Sequence, residues 1–320
     1  AAYSLVADSF RAGQRGKALS ILSVATGLGG ATSKVMGGAL LTIWNGTDLI
    51  TLPLVGHLEM WRAVFLVTGL PGFVVALLML ALREPGRIIP AAGQAQLSDF
   101  AGHVRRNWRL FLPLYMSFSA VFFFTYGAVL WSPTVLSRIY GFAPGTAGMA
   151  SGTFQMGGSI FGTIIAGVVG DFLITRNAKH GRLRIWLIGL IPVLIAAMLL
   201  ALPGAKFYLI GFALTMFTTS LLIGVSYPAL YDAVEPSMRG RALALYLFLA
   251  NVCGIGGGSS GVALITDHVL KDEKLLNYSV AIAVLGAALF SGLMAILALR
   301  RYEAVRLDLQ QQNASAVIMP

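Results

Sequence analysis

The stretch YPALYDAVEPSMRGRAL at residues 227–243 is matched, without a gap, by YSLVADSFRAGQRGKAL at residues 3–19. Tyr3, Asp8, Arg15, Gly16, Lys17, Ala18 and Leu19 stand 224 positions before Tyr227, Asp232, Arg239, Gly240, Arg241, Ala242 and Leu243. The correspondence continues into the apolar run after each copy, where Gly30 meets Gly254 and Gly37 meets Gly261. Self-similarity of long period decides architecture before local pattern does. In a hydrophobic chain it points to two similar helical bundles in one polypeptide.

The second copy is preceded by four more apolar runs, beginning near Leu110. If the halves match, the first copy should begin roughly 115 residues upstream of Ala1. The expectation is therefore an N-terminally truncated chain, with Ala1–Ala7 the tail of a fourth helix.

Composition sets the environment. Of the 320 residues, 57% are hydrophobic and 11% charged, with a mean hydropathy of +0.79. Soluble domains carry about a quarter charged residues. Apolar strings of about 18 or more residues are long enough to cross a ~30 Å hydrocarbon core as helices. Eight such spans can be drawn, at about 17–43, 61–82, 110–132, 146–170, 184–202, 206–233, 240–265 and 277–299. The single cysteine, Cys253, lies within a span, so neither a disulfide framework nor a thiol metal cluster is expected.

The net charge of +10 reads as topology and not as a nucleic-acid footprint, because the basic residues alternate sides. Seventeen of the 23 Lys and Arg fall in alternate connections: around Arg11 to Lys17, Arg83 to Arg109, Arg176 to Arg184, Arg239 to Arg241 and Arg300 to Arg306. The positive-inside rule puts these in the cytoplasm. All five tryptophans (Trp44, Trp61, Trp108, Trp131 and Trp186) fall at span ends, where an amphipathic ring suits headgroup depth. The longest polar connection, residues 83–109, is broken by Glu84-Pro85-Gly86, Pro90 and Gly93 and separates the two repeat copies. Residues 302–320 read as a loosely held cytoplasmic tail. Asn45-Gly46-Thr47 matches a glycosylation sequon in an external loop, a weak signal.

After the fourth span come Gly167, Gly170 and Asp171, then Arg176, then Gly181-Arg182-Leu183-Arg184. This Gly-x-x-x-Asp run with its Gly-Arg-x-Arg cluster resembles the signature loop of the major facilitator superfamily, although Phe172 replaces the usual basic residue. Arg-Gly-Lys/Arg-Ala-Leu at 15–19 and 239–243 is similar to that superfamily's loops before its fifth and eleventh helices. Trp61-Arg62-Ala63-Val64-Phe65 through Gly69-Leu70-Pro71-Gly72 to Glu84-Pro85 resembles the sixth helix of spinster-like and anion:cation symporter members.

The resemblance implies an all-α membrane protein with a two-lobe helical bundle, carrying eight transmembrane helices of an expected twelve. Residues 1–82 are then the end of the first lobe, 83–109 the cytoplasmic linker, 110–301 the six-helix second lobe and 302–320 the tail.

At the cytoplasmic end, Asp171 is placed to accept from a neighbouring helix N-terminus and to pair with Arg182, Arg184 or Arg239. With Arg15, Gly167, Arg176 and Gly181, it forms a candidate gate that latches the lobes. Glycines recur at steps of four: Ala25, Gly29, Ser33, Gly37; Gly148, Gly152; Gly158, Gly162; and Ala250, Gly254, Gly258. Small residues at that step let backbones approach in a bilayer. The run Gly254-Ile255-Gly256-Gly257-Gly258 lacks the strand-turn-helix setting of a nucleotide loop, so packing is the better reading.

Lys34 is the ionisable residue deep within a span, and its repeat counterpart is Gly258. A charge there marks a substrate site unless it snorkels to the headgroups. The expectation is that it attracts an anionic group. Tyr115, Ser119, Phe122 and Tyr126 form one stripe, and Thr215, Thr219 and Ser226 another. By resemblance these lie on cavity-lining helices seven and ten. Gln155 and Asn251 are further polar candidates, and helix-to-helix hydrogen bonding is the alternative for all of them.

Acidic residues Asp8, Asp171, Asp232 and Glu235 sit at cytoplasmic helix ends, so a proton-coupling acid is expected in helices outside this stretch. His57, His103, His180 and His268 are scattered through loops and make neither a metal site nor a triad. The sequence therefore reads as a secondary active transporter, with no cofactor, acting as a monomer in the plasma (inner) membrane. Its partners are the lipid bilayer, a small organic solute (a lipid-like anion or a small carboxylate) and a coupled proton or other ion. A membrane-embedded transferase would need clustered His, Asp or Glu at one face. A receptor or scaffold would need an extended soluble part.

Overall fold

The computed structural model describes residues 12–44, 47, 49–52, 56–80, 97–175 and 181–318. Almost all are helical, as expected where backbone N–H and C=O groups must be satisfied without water. Helix α1 spans Ala12–Ile43 and is followed by strands β1 (Leu49–Leu52) and β2 (Gly56–Glu59). Helices α2 (Met60–Leu80), α3 (Leu97–Arg106), α4 (Trp108–Arg138) and α5 (Pro144–Thr175) follow in order. Next come α6 (Gly181–Gly189), α7 (Ile191–Ala201) and α8 (Ala205–Tyr231). Helix α9 (Arg239–Asn251) passes through a π segment, Val252–Gly258, into α10 (Ser259–Leu264) and a second π segment, Ile265–Leu270. Helix α11 (Leu276–Ile318) is the last described element.

The two copies of the repeat open at matching positions. Helix α1 begins at Ala12, and the 3-10 turn leading into α9 begins at Pro236, 224 residues later. Six helical segments among the described residues are long and apolar enough to cross a membrane: Met60–Leu80, Trp108–Arg138, Arg182–Ala201, Ala205–Tyr231, Arg239–Leu270 and Glu273–Val305. Helices α1 and α5, 32 residues each, run over the other two of the eight expected spans, and part of each lies outside the residues described in full.

Four local features qualify the expectations. The interdomain connection is not broken throughout, because α3 forms within it as an amphipathic helix. Its Phe100 is buried, and the His103 ring stands edge-on to Phe111. The tail begins as helix, since α11 runs on to Ile318. An antiparallel hairpin pairing Leu49 with Glu59 and Ile50 with Leu58 follows α1, unanticipated because its strands are only four residues each. Trp186 is fully buried, its indole N–H donating to Ser291 Oγ at 3.2 Å, whereas Trp61 and Trp108 are exposed as headgroup-level rings should be. The Asn45 sequon lies outside the described residues.

The core is built around α4, which packs along α11, α8, α9 and the first π segment. Phe118 stacks at a tilt on Trp186 and meets Tyr246 edge-on, while Tyr246 also meets Phe122 and Tyr227. Glycine sets the closest approaches. A Cβ at Gly38 would lie 2.5 Å from the Gly145 carbonyl and 2.6 Å from the Met149 nitrogen; one at Gly152 would lie 2.8 Å from the Ala31 carbonyl. Gly158 and Gly162 press α5 on the α8 carbonyls of Ala213 and Phe217, and Gly258 presses on the Phe123 carbonyl.

The stripe expected on α1 was placed on the wrong face. Gly29 and Gly37 meet nothing within 4 Å, and the seam with α5 runs through Ala31, Val35, Gly38 and Thr42. Steps of three and four both keep a helical face, so spacing alone left two registers open.

Candidate functional site

Lys34 stands on α1, one turn below the Gly38 contact, and its ammonium donates to the Val129 carbonyl of α4 at 2.7 Å. It also lies 5.9 Å from the centre of the Phe212 ring on α8. Lys34 therefore does not snorkel; its charge is held between helices. Val129 has a carbonyl to spare because residue 133, one turn on, is a proline inside α4. Proline has no N–H to donate, so the carbonyl four residues back lacks its helical partner.

Polar side chains follow on the inner side of this contact. The Thr125 and Thr219 hydroxyls are 2.7 Å apart, joining α4 to α8. Gln155 on α5 is 9% exposed, and its Oε1 has no hydrogen-bond partner; its amide faces Gly30 of α1. Phe122 and Tyr126 stack with ring centres 6.4 Å apart and overlie Gly254. Lys34, Gln155, Thr125 and Thr219 thus belong to the region where α1, α4, α5 and α8 converge, whereas Phe122 and Tyr126 leave α4 towards Gly254 of the π segment, with Tyr246 of α9 edge-on to Phe122.

The other sequence candidates are packed elsewhere. The Tyr115 hydroxyl donates to the Ala242 carbonyl at 3.1 Å, bridging α4 and α9. Thr215 donates to the Gly211 carbonyl and Ser226 to that of Ile223, both back along α8. The Tyr246 hydroxyl donates to Ser226 Oγ at 3.3 Å. Ser119 is buried with an unpartnered Oγ. Asn251 is exposed and donates to the Leu247 carbonyl. For Tyr115, Thr215 and Ser226 the structure thus favours bonding within and between helices over a place on a cleft. Sequence reasoning missed Thr125, Val129, Pro133 and Phe212. Of these only Pro133 carried a signal, as a proline four residues beyond a carbonyl.

At the arginine-rich end, two of the arginines named as partners for Asp171 have carboxylates of their own among the described residues. Arg182 Nε lies 3.2 Å from Asp232 Oδ2, and Arg184 lies 3.8 Å from Glu303. Arg239 stands over the Tyr231 ring at 5.7 Å. Asp232 caps the C-terminus of α8, the end of a helix dipole that disfavours a carboxylate, so the guanidinium beside it is favourable to both the carboxylate and the helix end. Tyr302 supports the arrangement by donating to the Ala229 carbonyl at 3.0 Å. Gly167 lies on α5 with open space where a Cβ would stand. The side chains of Arg15, Asp171, Arg176 and Gly181 lie outside the described residues.

The apolar helices, the glycine seam and the half-buried lysine held between helices define an integral, multi-pass membrane protein of two-lobe helical architecture. The Major Facilitator Superfamily family model matches residues 1–257, and the chain belongs to that superfamily, a family of transporters.

The chain is 27% identical over 300 residues to an MFS-type efflux pump of Mycolicibacterium smegmatis, covering 90% of this chain and 64% of that protein. It is 26% identical over 336 residues to human protein spinster homolog 1, covering 90% of this chain and 58% of that protein. The chain thus spans less than two thirds of the length of these relatives. A solved bacterial homolog of the human lysosomal transporter spinster, inward-facing and unoccupied, has a TM-score of 0.64 at 20% identity, covering 95% of this chain and 73% of that one. The occupied form of that homolog gives a TM-score of 0.60 at 19% identity, covering 97% of this chain and 73% of the other. Both share its fold.

Proposed function

We infer that this chain carries part of a secondary active transporter that moves a small organic solute, anionic or amphiphilic, by alternating access between two lobes. It is read as a transporter and not an enzyme, a monomer in the plasma membrane with its basic connections in the cytoplasm. Support comes from the family and from relatives that are themselves a pump and a spinster protein.

The observation that carries the reading is the incompletely satisfied polar set where α1, α4, α5 and α8 converge. Gln155 Oε1 is buried without a partner on the inner side of the Lys34 contact. Unpaired polar atoms in an apolar interior are costly unless a ligand completes them. Lys34 supplies the positive charge for an anionic group.

The test is counterflow by the full-length protein in proteoliposomes, with a panel of short carboxylates and single-chain amphiphilic anions, with and without a pH gradient. One class should accumulate, and Lys34→Met should abolish its uptake. An unchanged apparent affinity in that variant would remove Lys34 from substrate binding. No accumulation of any solute would end the transporter reading.

A further inference from the structure

We propose that Lys34 and Pro133 form a latch that holds the outer side of the protein closed, by way of the Val129 carbonyl. This rests on the alternating-access reading above and adds to it the groups that keep one gate shut.

Pro133 lies inside α4 and withdraws the N–H that the Val129 carbonyl would otherwise accept. A carbonyl released within a membrane helix must be satisfied by a neighbour. The neighbour here is an ammonium from α1, 2.7 Å away, on the far side of the linker that divides the lobes. The two elements meet towards the end marked by Trp44 on one side and Trp131 on the other, opposite the arginine-rich connections.

The contact also has a seating. Gly38, Gly145, Gly148 and Gly152 bring α1 and α5 to backbone contact over the same outer half, fixing the height from which Lys34 reaches α4. Phe212 closes the remaining side, 5.9 Å from the ammonium. The repeat shows that the lysine is an addition. Its counterpart Gly258 lies flush against α4 at the Phe123 carbonyl, where any side chain would clash. One copy therefore packs on α4 permanently, through glycine. The other holds it through a single charged bond that can be made and released. Opening the outer side strands both an ammonium and a carbonyl in an apolar setting, until water or the anionic group of a solute reaches Lys34.

The experiment uses the full-length protein on a cysteine-free background, spin-labelled at Thr47→Cys and Ala143→Cys and reconstituted in bilayers. Both positions are exposed, at the outer ends of α1 and α5. Distance distributions are compared for the parent, Lys34→Met, Pro133→Ala and the double variant. The parent should show a dominant short distance and a minor long one. Lys34→Met should raise the long-distance population roughly tenfold, the span of a charge-assisted bond between membrane helices. Pro133→Ala restores a competing N–H and should shift the population the same way by less.

In the double variant the opening should match Lys34→Met alone, and its thermal midpoint should exceed that of Lys34→Met, because the restored N–H satisfies the stranded carbonyl. Additive opening, or a Lys34→Met distribution equal to the parent's, overturns the latch. If that happens while the parent still exchanges between two distances and moves solute, the transporter reading stands. A parent held at one distance that moves no solute overturns both.

Discussion

At the scale of single residues, the packing of α4 on α11 turns on two serines that exchange bonds. The Ser117 hydroxyl donates to the Ser291 carbonyl and the Ser291 hydroxyl to the Ser117 carbonyl, both at 2.8 Å. Ser291 Oγ also accepts the Trp186 indole N–H, so one hydroxyl serves three helices. Ser291→Ala removes the donor and leaves a fully buried indole without an acceptor. A bond between membrane helices is worth about 0.6 kcal/mol on average, and an unsatisfied buried donor costs about 1–3 kcal/mol. The second effect governs, so the variant should be less stable by about 1–2 kcal/mol. Ser33→Ala, at an exposed position, should leave the unfolding midpoint unchanged. Denaturation in detergent micelles measures both, and equal midpoints would show that Trp186 has found another acceptor.

At the scale of elements, the sharpest contrast lies between neighbouring glycines on α1. A methyl group at Gly38 must displace the α5 backbone, whereas one at Gly37 meets open space. Overpacking a well-fitted contact costs about 1–3 kcal/mol, and alanine in a helix interior gains up to about 1 kcal/mol over glycine. Gly38→Ala should therefore destabilise the protein, and Gly37→Ala should be neutral or stabilising. The same opposition is expected between Gly258 and Gly256 on the neighbouring π segment. Thermal unfolding of the four variants checks the pattern; Gly37→Ala and Gly38→Ala behaving alike would mean that α1 is rotated from the register described. The π segment Val252–Gly258 adds an extra residue to its turn, which suits a glycine run pressed against Phe122, Phe123 and Tyr126.

At the scale of the whole molecule, the distribution of charge predicts orientation. Thr47 and Lys274 lie at the ends poor in basic residues, Arg106 and Arg300 at the rich ends, and all four are exposed. On a Cys253→Ser background, Thr47→Cys and Lys274→Cys should react with an impermeant maleimide in intact cells. Arg106→Cys and Arg300→Cys should react only after permeabilisation. Labelling of both pairs from one side would contradict the positive-inside assignment. The ion pairs at the arginine-rich end belong to this scale too. Arg182 with Asp232, and Arg184 with Glu303, join the start of α6 to the ends of α8 and α11, tying three helices at one face.

The sequence by itself determined the membrane setting and the helical class and displayed the repeat, because these follow from length, hydropathy and pattern along the chain. It also marked Lys34, since a charge inside an apolar run stands out without a structure. What that charge touches was decided only in three dimensions. Val129 is an ordinary apolar residue whose role comes from its backbone carbonyl, and that carbonyl is free only because Pro133 follows it in the same helix. The face of α1 that meets α5 was likewise settled by packing, with Gly38 and not Gly37 at the contact. Arg182 found Asp232, some fifty residues away, because the bundle brings the end of α8 beside the start of α6. Periodicity constrains what lies along one helix. Partners across helices depend on how the helices are rotated against each other, and a one-residue change turns a helix by about 100° while barely altering its pattern.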